Sequence, residues 1–177
     1  MLILETKELL LREFTDDDYS HWHEILSDPE AMIYYPAPFT PEKIREWVDW
    51  TKDNYERYGF GLWAVILKST GEFLGDCGIT MQNIWEDGER YPEIGYHIVR
   101  KHQNRGYASE AASACVRYAF EQLGMSEVYS KQRSDNEASR RVALNAGMSL
   151  RREYTAGNGV GKSIYSIKKD EYFGKLS

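Results

Sequence analysis

A glycine turn at the start of a helix is the segment of this sequence best suited to chemistry. The run Gln103-Asn104-Arg105-Gly106-Tyr107-Ala108 connects a strand-like segment at 93–100 to a helix-like segment at 108–123. Free backbone N–H groups of a first helical turn attract anions, and the helix dipole adds partial positive charge. Gly106 lets a ligand approach the backbone because it has no side chain. Basic residues cluster beside the turn: Arg100, Lys101, His102 and Arg105. The 103–108 loop therefore predicts an anion-binding site.

The composition limits the class of protein. The 177 residues suffice for one domain with a sizeable core. The net charge of -6 argues against a general nucleic-acid binder. No apolar run approaches the ~20 residues of a membrane helix, and the N-terminus has no signal-peptide pattern. Cys77 and Cys115 suit a reducing compartment as small core residues, so a cytoplasmic protein is expected. The four histidines show no metal-ligand spacing.

Hydrophobic periodicity predicts a mixed α/β domain that positions this loop. Strands are predicted at 9–14, 62–68, 73–80, 93–100, 128–133, 148–154 and 163–168. Helices are predicted at 15–26, 40–58, 108–123 and 136–146. The turn at 69–72 pairs the second and third strands as a hairpin. The alanine-rich apolar face of the third helix allows that helix to pack closely on the sheet.

With these motifs the chain resembles the GCN5-related N-acetyltransferase (GNAT) family, and within it the branch that acetylates the N-termini of ribosomal proteins. The family's loop reads Gln/Arg-x-x-Gly-x-Gly/Ala, and the 103–108 loop fits it. Further motifs of the branch match Glu93-Ile94-Gly95-Tyr96 in the strand at 93–100 and Asp28-Pro29-Glu30 after the first helix. The remaining matches lie in the last predicted helix and directly after it: Asn136, Ser139, Val142, Gly147 and Met148. The resemblance extends from about residue 5 to residue 168.

The resemblance implies one N-acetyltransferase domain over residues 1–177. The expected fold is a central, mostly antiparallel and splayed sheet of about six to seven strands with about four helices. The expected cosubstrate is acetyl-CoA, and no metal is expected. The strand at 93–100 should separate from its neighbour so that pantetheine pairs with its backbone, while the 103–108 loop holds the pyrophosphate. The cofactor-binding residues that the family pattern implies are Ile98, Val99, Arg100, Gln103, Asn104, Arg105, Gly106, Tyr107, Ala108, Asn136 and Ser139. Asn145 stands where relatives often have a lysine.

Glu93 is the expected general base, because acetyl transfer to an amine requires removal of a proton. A carboxylate at the start of a splayed strand can face the acceptor directly or through a water molecule. Asp76 and His97 are the alternatives for this role. A backbone N–H near Ile98 is expected to stabilise the developing oxyanion.

Ser139 is the residue expected to meet the departing thiolate. It follows Asn136 by three positions, so both lie on the same side of a helix start. Helix capping is its alternative role. Ala143 replaces a tyrosine that many relatives use as general acid, although a thiol that ionises near pH 8.5 can leave without one.

The expected acceptor is a primary amine, possibly a protein N-terminal α-amine, and small-molecule amines such as polyamines, amino acids or drugs are the alternative. The residues expected near the acceptor entrance are Tyr34, Tyr35, Pro36, Pro38, Phe39 and Trp85. A non-catalytic acyl-CoA-binding or sensor domain is the rival from another class, and Ala143 favours it. A dinucleotide-binding domain is disfavoured because the chain lacks an N-terminal Gly-x-Gly-x-x-Gly motif. Neither nucleic acid nor a membrane is an expected partner, and the protein is expected to be a monomer or homodimer.

Overall fold

The chain forms one mixed sheet with helices packed on it in the computed structural model, which describes residues 1–175. The strands of these residues are β1 (Leu2–Glu5), β2 (Leu9–Arg12), β3 (Leu62–Leu67), β4 (Phe73–Gln82), β5 (Tyr91–Ile98), β6 (Glu127–Arg133), β7 (Ser149–Thr155) and β8 (Gly161–Lys168). Their α-helices are α1 (Tyr19–Leu26), α2 (Pro41–Tyr58), α3 (Tyr107–Glu121), α4 (Glu137–Asn145) and α5 (Lys169–Gly174). The last two positions of the predicted domain, 176 and 177, lie outside the described residues.

The sheet divides at one pair of strands. The strand order is β1-β2-β3-β4-β5-β6-β8-β7, and all neighbours are antiparallel except β5 and β6. Strands β4 and β5 pair continuously from Gly75 opposite Ile98 to Gln82 opposite Tyr91. In contrast, β5 and β6 meet within the described residues at the single position where Glu93 lies opposite Tyr129. The two strands therefore separate beyond this point and leave the edge of β5 open toward β6.

Alternating side chains of the central strands build a core on each face of the sheet. On β3, Leu62 and Ala64 pack in the cluster that includes residues of α1 and α2. The intervening residues Trp63 and Val65 pack in the cluster that includes α3 and α4. Successive side chains of a strand point to opposite faces, so one strand serves both clusters. The helices are thereby held on the two sides of the sheet, with the opening between β5 and β6 lying between them.

The start of α2 shows how local sequence sets an element. The Thr40 side chain accepts a hydrogen bond from the Lys43 N–H at 3.3 Å, and Pro41 occupies the first helical turn. Threonine satisfies a free N–H at a helix start, and proline there loses no intrahelical bond. This pattern fixes the C-terminal end of the 27–40 loop, which faces the opening between β5 and β6.

The predicted fold class is confirmed, but the described residues contain eight strands and five α-helices, which is more than predicted. Strand β1 and helix α5 were not predicted, because both are short and neither buries a residue fully. The strand expected at 93–100 ends at Ile98, and a 3₁₀ turn at Arg100–His102 follows it. The first predicted helix begins as a 3₁₀ turn at Asp16–Asp18 before α1.

Candidate active site

A cleft of about 840 Å³ lies where β5 and β6 separate. Its walls come from the 27–40 loop, α2, β5, the 103–108 loop, β6, α4 and β8. The cleft is large enough for two substrates to meet, since small-molecule sites typically measure about 300–1,000 Å³. The separation of β5 and β6 thus creates the cleft that forms the candidate site.

One end of the cleft is an anion site at the start of α3. Gly106 adopts φ +87°, and no side chain caps the helix. A Cβ at Gly106 would meet no atom within 4 Å, so the space above its backbone is open. Asn104 also has a positive φ of 60°, which asparagine tolerates better than most residues. Uncapped N–H groups and an open approach fit a phosphate or diphosphate group.

The structure brings most of the predicted cofactor-binding residues to this cleft. Those that line it are Ile98, Gln103, Asn104, Gly106, Tyr107, Ala108, Asn136 and Ser139. Val99, Arg100 and Arg105 are not among the described residues that line it. The Val99 N–H donates to the Leu74 carbonyl on β4 at 2.8 Å, so this N–H group faces β4 and not the opening toward β6. Arg100 forms an ion pair with Glu30.

Helix α4 forms the wall opposite β5. Asn136 accepts a hydrogen bond from the Ser139 N–H at 3.0 Å and so caps α4. The Tyr96 hydroxyl donates to the Ser139 carbonyl at 3.0 Å. Ala143, which the family resemblance matched to a tyrosine of many relatives, is buried with 1% exposure. Asn145 donates to the Ser109 hydroxyl at 3.0 Å, so it joins α4 to α3. Tyr96 was missed as a site residue, although it belongs to the motif that suggested Glu93.

Glu93 lies at the base of the cleft, where β5 and β6 meet. Its Oε1 accepts a hydrogen bond from the Lys131 backbone N–H at 2.8 Å. Burial raises the pKa of Glu93 to about 7, although this hydrogen bond and the charges of Lys131 and Lys162 oppose the increase. A carboxyl group with this pKa exchanges protons readily near neutral pH, which is the property required of a general base.

His97 is at the centre of a hydrogen-bonded chain on the same strand. Its Nδ1 lies 3.0 Å from Asp76 Oδ1, and its Nε2 lies 2.6 Å from the Tyr35 hydroxyl. Burial alone would lower the pKa of His97, but the Asp76 carboxylate and the two hydrogen bonds raise it well above its usual value. A charged imidazole has no free lone pair. Neither His97 nor its partner Asp76 is therefore well placed to accept a proton from an amine.

Basic side chains of β6 and β8 border the same side of the cleft as the 27–40 loop. Lys131 Nζ lies 3.0 Å from Glu86 Oε1, and Arg133 NH2 lies 2.6 Å from Asp135 Oδ2. Lys162 lies opposite Arg133 in the pairing of β6 with β8. These residues were not predicted, yet their alternate spacing along β6 is a signal that they share a face.

Two further findings concern residues 1–175. Histidine, cysteine and acidic residues form no group of three or more in this range that could hold a metal ion. No helix in this range combines the length and the apolar content that crossing a membrane requires.

The separated strands and the uncapped helix start are the features that the resemblance to the GNAT acetyltransferases predicted. The chain belongs to this family, because the family model described as "Acetyltransferase (GNAT) domain" matches residues 8–149. The chain is accordingly an N-acetyltransferase, and the family resemblance inferred from its sequence is confirmed.

Relatives with similar sequences and structures agree with this assignment. The uncharacterized protein YkkB of Bacillus subtilis is 40% identical over 146 residues, which span 82% of this chain and 84% of YkkB. The uncharacterized N-acetyltransferase YoaA of the same organism is 32% identical over 176 residues, or 94% of this chain and 97% of YoaA. The crystal structure of a GNAT-family acetyltransferase from Bacillus anthracis matches with a TM-score of 0.81 and 29% identity, covering 96% of this chain and 99% of that one.

Proposed function

We propose that this N-acetyltransferase transfers the acetyl group of acetyl-CoA to a primary α-amine, with Glu93 as the general base. The observation that carries the proposal is the position of Glu93, whose carboxyl group lies at the point where β5 and β6 part. Its pKa of about 7 matches it to an amine that titrates slightly above neutrality. The resemblance to the ribosomal-protein N-terminal branch supports the same acceptor chemistry.

A comparison of pKa values favours an α-amine over a lysine side chain. An α-ammonium group titrates near 7.7–8.0, so transfer of its proton to a base with a pKa of about 7 costs roughly 1 kcal/mol. A lysine ammonium group titrates near 10.4, and the same transfer costs about 4.6 kcal/mol. The other acid among the described residues that line the cleft is Glu30, and it is paired with Arg100. The base is therefore suited to the more acidic ammonium group.

The proposed donor supplies an acetyl thioester when it is bound, and the residues of this chain hold and orient it. The 103–108 loop and the first turn of α3 bind the diphosphate through backbone N–H groups. The open edge of β5 offers its main chain to the pantetheine amides. Asn136 and Ser139 hold the other wall of the cleft, where the Ser139 hydroxyl donates a hydrogen bond to the departing thiolate. Glu93 accepts the proton of the acceptor amine directly or through a water molecule.

Competition between two peptides tests the choice of acceptor. One peptide has a free N-terminus and no lysine, and the other has a blocked N-terminus and one internal lysine. Release of free thiol from acetyl-CoA measures both reactions. We expect the free N-terminus to be preferred, and a preference for the lysine peptide would contradict the proposal. A complete lack of thiol release with peptides, amino acids and polyamines, despite acetyl-CoA binding, would instead support the non-catalytic binding domain.

A further inference from the structure

The Asp76–His97–Tyr35 chain has a direction that is set by the protonation of His97. Asp76 on β4 is 1% exposed, and it lies opposite His97 in the pairing of β4 with β5. Both carboxylate oxygens lie within 3.1 Å of His97 Nδ1. A carboxylate buried at this depth needs a charged or strongly donating partner. The imidazolium form of His97 satisfies it and also donates its second N–H to Tyr35.

This arrangement leaves the hydroxyl hydrogen of Tyr35 unused. The Tyr35 hydroxyl oxygen lies 2.6 Å from His97 Nε2. With His97 in its charged form this oxygen accepts the hydrogen bond, so the hydroxyl hydrogen points elsewhere. His97 is the only hydrogen-bond partner of this hydroxyl group within the described part of the chain. Tyr35 lines the cleft, and a hydroxyl group that accepts a bond from a cation becomes a stronger donor. The cleft thus contains a polarised donor that has no acceptor in residues 1–175.

The surroundings of Tyr35 offer a ligand more donors than acceptors. The Trp47 ring meets the His97 ring edge to face, with the centroids 6.3 Å apart. Trp47 lines the cleft, although its indole N–H is itself buried and has no hydrogen-bond partner in the described part of the chain. Lys162 also lines the cleft. Among the acids that line it, Glu30 is already paired with Arg100. This end of the cleft therefore suits a ligand oxygen with free lone pairs.

We propose that Tyr35 hydrogen-bonds the carbonyl or carboxylate oxygen carried by the α-carbon of the acceptor, with His97 and Asp76 as positioning residues. The acceptor class is then an amine with an adjacent carbonyl group, as found in amino acids and peptide N-termini. This inference rests on the proposed function, because it explains how the same site distinguishes an α-amine from other amines. Lysine side chains and polyamines have no oxygen next to the reacting amine, so they cannot make this bond.

The spacing of the two groups on β5 is compatible with this assignment. Glu93 and His97 lie four residues apart on the same face of the strand, which places their α-carbons about 13 Å from each other. Both side chains extend into the cleft. An acceptor between them presents its amine toward Glu93, with room for a bridging water molecule, and its carbonyl oxygen toward Tyr35.

The test compares three acceptors that differ only at the α-carbon. Leucine, leucinamide and 3-methylbutylamine share one side chain, and kcat/KM is expressed per concentration of neutral amine. We expect the wild-type protein to prefer leucine or leucinamide to 3-methylbutylamine. Tyr35→Phe should lower kcat/KM for the preferred acceptors by about 10- to 100-fold, as expected for a charge-assisted hydrogen bond. The value for 3-methylbutylamine should change by less than about twofold, so that the selectivity of the variant collapses.

Tyr19→Phe is the matched control. The Tyr19 hydroxyl donates to the Pro41 carbonyl at 3.2 Å, so this variant also removes a tyrosine hydroxyl next to the 27–40 loop, but outside the cleft. We expect it to keep the wild-type selectivity. His97→Gln retains a donor without the charge, and its selectivity should lie between those of the wild type and Tyr35→Phe. Wild-type selectivity in His97→Gln would refute the proposal that His97 positions the Tyr35 hydroxyl group.

The outcomes separate this inference from the proposed function. If the wild-type protein acetylates α-amines but Tyr35→Phe lowers all three rates equally, or lowers none, the role of Tyr35 is refuted and the proposed function stands. If the wild-type protein acetylates only lysine side chains or polyamines, both proposals fail. Calorimetric titration with acetyl-CoA shows whether each variant is folded. A preference for leucinamide over leucine indicates peptide N-termini, and the reverse order indicates free amino acids, both within the proposed class.

Discussion

Replacement of Glu93 by glutamine should slow the enzyme and stabilise the fold at the same time. The amide has nearly the shape of the carboxyl group and can still accept the hydrogen bond that the Lys131 N–H donates at 2.8 Å. It cannot take a proton from the acceptor. We expect kcat to fall on the order of 10²–10⁴-fold, which is the usual contribution of a general base. The affinity for acetyl-CoA should change little, because Glu93 lies away from the 103–108 loop.

The gain in stability follows from the raised pKa of the carboxyl group. An acid whose pKa rises from 4.5 to about 7 on folding disfavours the folded state when it is ionised. This loss of folding stability is absent below pH 4.5 and complete above pH 7, because the carboxyl group releases its proton at lower pH in the unfolded chain than in the folded protein. At about 1.4 kcal/mol per pH unit between the two values, the ionised group destabilises the fold by up to about 3 kcal/mol. Glu93→Gln should therefore raise Tm at pH 8 by up to about 6–12 °C.

Two measurements check this reasoning. The first is Tm at pH 4.5 and pH 8, with Glu89→Gln as control, because Glu89 is an exposed acid in the segment that precedes β5. The second is the pH dependence of kcat, which should rise through pH ~7 in the wild type and lose this limb in Glu93→Gln. Acceptors with different amine pKa values show which group causes this rise of kcat with pH. A limb caused by Glu93 stays at the same pH when the amine is changed, whereas a limb caused by the amine moves with the pKa of the amine. An equal Tm increase at both pH values, or an unchanged limb in the variant, would refute the assignment.

Three further predictions concern the rest of the cleft. Gly106→Val should weaken acetyl-CoA binding by more than about 100-fold in calorimetry, because the valine side chain enters the open space above the turn. Gly124→Val is the control, since Gly124 has a similar positive φ of 67° beyond α3, and this variant should retain binding. Equal losses of affinity in the two variants would point to backbone strain alone. Asn136→Ala should destabilise the protein by about 0.5–2 kcal/mol through loss of the α4 cap and should also weaken acetyl-CoA binding. Asn136→Ser should recover the stability. Equal stabilities of the two variants in denaturant unfolding would contradict the capping role. Lys162→Met should move the Glu93 limb of the pH dependence of kcat to higher pH, since the Lys162 charge lowers the pKa of Glu93. Lys168 is an exposed residue at the end of the same strand, so Lys168→Met should leave the limb in place. An unmoved limb in Lys162→Met would contradict the coupling between Lys162 and Glu93.

The parts of the fold that sequence predicts well are those with local signals. Helix α2 was located correctly because Thr40 and Pro41 mark its start. The hairpin of β3 and β4 followed from the turn between them and was found as predicted. The end of β5 was wrong because the chain turns after Val99, where the His102 N–H donates to the Val99 carbonyl at 2.8 Å and closes the 3₁₀ turn at Arg100–His102. Residues 99–103 contain no glycine or proline that would mark such a turn in the sequence.

The candidate site divides in the same way. The anion loop and Glu93 were predicted from short motifs, because the residues of each motif are adjacent in sequence. The environment of Glu93 was not predictable, since the N–H group that it binds belongs to Lys131, 38 residues further along the chain. The partnership of Tyr35 with His97 spans 62 residues, and the sequence offered Tyr35 only as one of several aromatic residues near the entrance.

Glu93 and His97 show how partners, rather than burial alone, determine the charge of a partly buried group. Both residues lie on the same face of β5, and burial disfavours the ionised form of each. Asp76 offers His97 a full opposite charge at 3.0 Å, which outweighs desolvation, so the imidazole stays charged and polarises Tyr35. Glu93 receives only a backbone N–H and the more distant charges of two lysines, so desolvation prevails and the carboxyl group titrates near neutral pH. The fixed charge suits recognition of the acceptor, and the titrating group suits proton transfer. An additional cation in direct contact with Glu93 would stabilise the fold, but it would lower the pKa of Glu93 and widen its difference from the pKa of the amine in the proposed reaction.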